Sequence, residues 1–135
     1  MILHSFQAEH NAVFIVAEKL KENEIEPKDA HELISETIQI HFRDEEQILF
    51  PVMEPKLPET VNKLRLGHRQ IRQKFESLTD PLDKNGLMQI LNMMMNHCQD
   101  EEEHLFDAAE DLLGQETLRQ LQGRRKECSC CGYYA

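Results

Sequence analysis

Residues 41–50 read HFRDEEQILF and residues 97–106 read HCQDEEEHLF, and both fit H-x-x-D-E-E-x-x-L-F. On a helix a residue at i+4 lies about 40° further round and roughly 6 Å further along than residue i. His41 with Glu45, and His97 with Glu101, therefore each project from one helix face. A motif that recurs within one chain points to two similar units. Two helical hairpins facing each other would give a pseudo-symmetric site with half of its groups from each.

The apolar pattern around the two motifs is helical. Leu3, Phe6, Val13, Ala17 and Leu20 recur at steps of three and four, as do Ile34, Ile38, Ile48 and Val52. Val61, Leu64, Ile71, Phe75 and Leu78 make a third stripe, and Leu87, Ile90, Met94, Leu105, Ala108 and Leu112 a fourth. The segment EIEPKD breaks the first stripe at Pro27, and PVMEPKLP ends the second. Pro58 is placed to open the third helix, TDPLDKNG supplies the next turn, and Gly114 is a C-cap. Four long helices with short connections predict an all-α, up-down-up-down four-helix bundle over residues 1–114. Residues 115–135 are expected to form a C-terminal extension, a short amphipathic helical turn followed by a Cys-rich tail.

Each stripe keeps its spacing only if a polar residue is counted in. His10 fills the gap in the first, His41 and Glu45 in the second, His68 in the third, and His97 and Glu101 in the fourth. In an antiparallel bundle, residues at equal depth are equidistant from the turn that joins their helices. The midpoints of His10–His41, His41–His68 and His68–His97 fall at 25/26, 54/55 and 82/83, each inside a turn assigned above. The four histidines are thus expected in one layer. Two carboxylates buried among four imidazoles are costly unless multivalent cations sit between them. Imidazole with carboxylate suits iron, manganese or zinc.

The order His, H-x-x-x-E, His, H-x-x-x-E resembles the hemerythrin-like HHE cation-binding family, and HFRDEEQILFP resembles that family's H-x-x-x-E-E-x-x-x-F-P signature. The resemblance covers roughly residues 3–113. It implies a four-helix bundle around a carboxylate-bridged, non-haem di-iron site. His10, His41, His68 and His97 would be terminal ligands, and Glu45 and Glu101 would bridge. Family roles include carriage of dioxygen, sensing of oxygen or nitric oxide, iron handling and repair of iron–sulfur clusters. The chain departs from the oxygen carriers, which have a second histidine one turn from the first on the third helix. Leu64 and Arg72 stand at those positions here. Four imidazoles and two bridging carboxylates supply about eight of the roughly twelve bonds that two octahedral ions want. A solvent-derived bridge would add two, leaving about two positions for water, dioxygen, nitric oxide or peroxide.

Composition narrows the partners. The 135 residues suffice for one domain, and only five glycines and five prolines interrupt them. With 25 acidic against 15 basic side chains, a net charge of -10 argues against nucleic acid and anionic membranes as partners; the cluster Arg124, Arg125, Lys126 is too short to reverse that. No apolar run approaches the roughly 20 residues that span a bilayer, and MILHSFQAEH lacks the basic start of a signal peptide. A cytoplasmic location is expected, in which the four cysteines are not a disulfide framework. Among the other polar residues, Glu9, Glu46, Glu102 and His104 are read as solvated or peripheral. His4 and His31 have no role, Met93, Met94 and Met95 are core, and Cys128, Cys130 and Cys131 are one thiol short of a closed zinc site. Two other readings remain: a di-iron redox enzyme or iron–sulfur cluster repair factor, and a helical interaction scaffold with structural metal or none.

Overall fold

The computed structural model describes residues 2–128. Four antiparallel rods run up, down, up and down. The first is α1 (Ile2–Lys21). The second, residues 27–53, is α2 (Pro27–Glu36), two π-helical segments (Thr37–Phe42 and Glu45–Leu49) and α3 (Phe50–Met53). The third is α4 (Pro58–Glu76). The fourth begins with α5 (Lys84–Glu101), widens into the π-helical segment Glu102–Phe106 and continues into α6 (Asp107–Cys128). The three turns fall where the sequence places them.

Local chemistry sets the boundaries. Asn23 takes a left-handed φ of 59°, which a short polar side chain tolerates, and Glu24 N–H closes back on Lys19 O at 2.8 Å. Pro27 opens α2, whereas α1 has already ended at Lys21, and the Glu26 N–H donates to Asp29 Oδ2 at 3.2 Å. Pro58 occupies the first turn of α4. Inside α6, Gly114 has φ 75° and ψ 166°, so the helix breaks there. The arm beyond it packs Leu118 and Leu121 into the same apolar cluster as Ile2, Leu3, Phe6, Phe106 and Ala109.

The apolar core is in two parts. One holds Phe6, Ile48, Phe50, Met53, Leu64, Leu105 and Phe106, and the other holds Val13, Leu20, Ile34, Ile71, Leu87, Ile90 and Met94. Buried polar groups lie between them. The first stripe is buried as expected, His10 included. The second and fourth depart from their spacing beyond the glutamates. Val52 is only partly buried and Met53 is fully buried; Leu112 is 46 % exposed, whereas Ala109 is buried. A π-helical turn holds about one residue more than an α-helical one, so the segments Glu45–Leu49 and Glu102–Phe106 each slip the stripe that follows by one position. The same slip carries the second rod through Pro51, whose ring has no N–H to donate to the carbonyl of Gln47. Arg124 Nη2 from the arm lies 3.4 Å from that oxygen instead.

Candidate metal centre

All six residues singled out from the stripes meet in one buried layer. Glu45, His68 and Glu101 are fully buried and His10, His41 and His97 nearly so. Their inward atoms form two quartets. One is His10, His41, Glu45 and Glu101, and the other is Glu45, His68, His97 and Glu101, with donor atoms in each within 4.8 Å of one another. Both carboxylates belong to both quartets. Glu101 divides its oxygens: Oε1 is 3.1 Å from His10 Nε2, and Oε2 is 3.0 Å from His97 Nε2. Glu45 Oε1 lies 3.2 Å from both His41 Nε2 and His68 Nε2.

The donor set fits cations. Both Glu45 oxygens and His68 Nε2 are buried with no hydrogen-bond donor or acceptor to satisfy them, a state that costs several kcal/mol if nothing else binds there. His10 Nε2 and His41 Nε2 stand 3.0 Å apart, both aimed inward. Neighbouring donors on an octahedral ion with bonds of about 2.1 Å are separated by about 3.0 Å. The observed spacings of 3.0 to 3.2 Å match that edge.

The outer ring nitrogens are held by carboxylates that the stripes leave unassigned. His10 Nδ1 meets Glu102 Oε2 at 3.0 Å, His41 Nδ1 meets Glu9 Oε1 at 2.8 Å, and His68 Nδ1 meets Glu46 Oε2 at 2.6 Å. Such contacts hold a proton on the outer nitrogen, so that Nε2 faces the centre and can offer its lone pair to a cation once any proton it carries is displaced. Glu9, Glu46 and Glu102 were expected in solvent, and that expectation is corrected. Glu46 does lie about 140° round the helix from His41, but it serves His68 on the neighbouring rod. Glu102 likewise serves His10. The doubled glutamate in both motifs is the signal that could have found them. Arg72 grips Glu46 at 2.7 and 2.9 Å. Arg125, 2 % exposed, reaches from the arm to Glu9, to Ser5 Oγ at 2.7 Å and to Asp44 Oδ2 at 3.0 Å.

Aromatic rings wall the layer. Phe42 stacks on His68 at 3.8 Å, Phe50 stacks on the same ring at 5.3 Å, and Phe106 stacks on His10 at 5.4 Å. In the metal-free protein these contacts set the charges. Burial alone would lower the His41 pKa, but the Glu45 and Glu9 carboxylates push it up to about 10. Burial, together with the facing His68, brings His97 down to about 3. Burial would raise Glu46, yet His68 and Arg72 hold it at about 2.

The remaining sequence candidates lie elsewhere. His104 is exposed, because the π-helical segment after Glu101 turns it off the His97 stripe. His4 is exposed, and His31 packs on Phe75 with ring centroids 4.9 Å apart. Met94 is buried core, flanked by the partly buried Met93 and Met95. Cys130, Cys131 and the Cys128 side chain lie outside the described residues. Among the described residues no helix is long and apolar enough to cross a membrane.

Comparison with curated proteins and with solved structures found no match. The family described as "Hemerythrin HHE cation binding domain" matches residues 1–109, which include all six inward groups and the three outer carboxylates. On that match and on the all-helical architecture, the chain belongs to the hemerythrin HHE cation-binding domain family.

Proposed function

We propose that this chain is a cytoplasmic, non-haem di-iron protein that binds or senses a small diatomic ligand, dioxygen or nitric oxide, or handles iron. One observation carries the reading: two donor quartets share both of their carboxylates. Each quartet offers two imidazoles and two carboxylate donors, which is two short of an octahedral shell. Manganese or zinc would suit the same atoms. Two iron ions so held would supply redox chemistry at open coordination positions.

The protein's own groups prepare that site. Glu9, Glu46 and Glu102 keep three imidazoles oriented, and Arg72 and Arg125 keep two of those carboxylates ionised and in place. Phe42, Phe50 and Phe106 limit water and lower the local dielectric, which strengthens every charge interaction within the layer. Leu64 is buried core and Arg72 is committed to Glu46, so no fifth histidine stands where the oxygen carriers have theirs. This favours gas sensing or iron handling over bulk oxygen carriage.

The test is metal analysis of the purified protein, followed by absorption spectra before and after exposure to dioxygen and nitric oxide. About two irons per chain and a gas-dependent spectrum are expected. An iron-loaded sample indifferent to both gases would remove the ligand-binding reading. Turnover of ferrous iron or peroxide would instead place the chain among redox enzymes.

A further inference from the structure

The two hairpins correspond residue by residue, so their differences can be read directly. His10 pairs with His68, His41 with His97, Glu45 with Glu101, Glu46 with Glu102 and Phe50 with Phe106. The outer contacts obey the same symmetry: Glu46 holds His68, and Glu102 holds His10. One pair breaks it. Glu9, which holds the outer nitrogen of His41, corresponds to Gly67.

At Gly67 there is a close approach in place of a carboxylate. A Cβ built there would stand 2.6 Å from His97 Nδ1 and 3.1 Å from His97 Cε1. The ring thus packs against bare backbone. Of the four histidines it is the most exposed, at 8 % against 3 % for His41. Above it a groove of about 420 Å³ opens between α4 and α5, lined by Gly67, Gln70, Met93, Asn96, His97 and Asp100. The corresponding cleft of the other hairpin, against His41, holds only about 100 Å³ and has Glu9 in its wall. Glu9 is pinned in turn by the buried Arg125 of the C-terminal arm.

We infer that the two halves of the centre are unequal, and that the cation held by His68 and His97 is the one that exchanges with solvent, entering and leaving through the groove over Gly67. The half at His10 and His41 is closed by Glu9 and Arg125 and keeps its cation. Asp100 and Asn96 on the groove wall offer oxygen donors to a divalent transition-metal ion in transit. The cation arm of this inference rests on the reading proposed above; the accessibility arm does not.

Two measurements separate them. In metal-free protein, diethyl pyrocarbonate should carbethoxylate His97, read by mass spectrometry, several-fold faster than it does in Gln70→Trp, which lays an indole across the groove, while the exposed His4 should react at the same rate in both. Equal His97 rates in the two proteins would overturn the inference. In protein loaded with zinc alone, a coloured chelator should draw off the metal in two phases of one equivalent each. Gln70→Trp should slow only the fast phase. Gly67→Ala, which drives a methyl into His97, should abolish the fast equivalent and leave the slow one. Release in a single phase, or Gln70→Trp slowing the slow phase, would also overturn it. If no zinc binds, the cation-binding reading falls, and the modification contrast alone decides whether Gly67 opens this half.

Discussion

Replacing Arg125 with methionine should destabilise the metal-free protein by about 3 kcal/mol, because the residue is a buried cation that ties the C-terminal arm to the bundle. The guanidinium is 2 % exposed, meets Asp44 Oδ2 at 3.0 Å and Ser5 Oγ at 2.7 Å, and lies 4.2 Å over the Phe6 ring. It also grips both oxygens of Glu9. Breaking a buried pair by removing one partner costs about 3–5 kcal/mol, since the other charge stays buried. The lower end applies, because Asp44 keeps Arg43 at 3.0 Å and Glu9 is partly exposed and keeps His41. Methionine preserves much of the volume and isolates the charge. For a chain of this size the loss corresponds to roughly 10 °C in Tm. Urea unfolding with chelator present is the assay, and Arg125→Lys should recover only part of the loss, for want of the planar fork. A change under about 1 kcal/mol would be typical of an exposed ion pair, and would show that the arm does not dock as described.

Other outcomes follow from the same contacts. Leu105→Ala should cost about 2–5 kcal/mol and Leu112→Ala less than about 0.5, measured by urea unfolding; equal costs would refute the slipped register after Glu101. Metal affinity should rise with pH between about 6 and 8, since His41, with its pKa near 10, must give up a proton on binding, and each proton displaced is worth about 1.4 kcal/mol per pH unit. Calorimetry in buffers of different ionisation enthalpy reads that proton, and no release at pH 7 would contradict the assignment. The same raised pKa stabilises the metal-free fold fully below the ordinary histidine value of 6.5, and that stability is lost as pH climbs towards 10. Thermal melts of chelated protein at pH 7 and 9 should therefore show a lower Tm at 9, and a higher one would refute it.

The bundle was legible because its core faces are periodic and their interruptions are chemically uniform. His10, His41, His68 and His97 fall on apolar stripes, at depths set by the turns, and nothing beyond chain arithmetic is needed to bring them to one level. What periodicity hid is local. An α-helical period places Val52, Ala108 and Leu112 on the core face, but π-helical turns next to Glu45 and Glu101 shift later residues by one. His104 left the layer for the same reason. The carboxylates behind the histidines were missed because helix geometry reports a residue's own face, whereas Glu46 and Glu102 act across to neighbouring rods. Arg125 stands in a short basic run that reads as surface, and only the turn at Gly114 folds it inward.

The central claim is that cations lie between Glu45 and Glu101, one in each quartet of donors. Anomalous diffraction at the iron edge from crystals of iron-loaded protein tests it most directly. Two peaks are predicted, one beside His10 and His41 and the other beside His68 and His97. A single peak elsewhere on the molecule, or none within this layer, would contradict it.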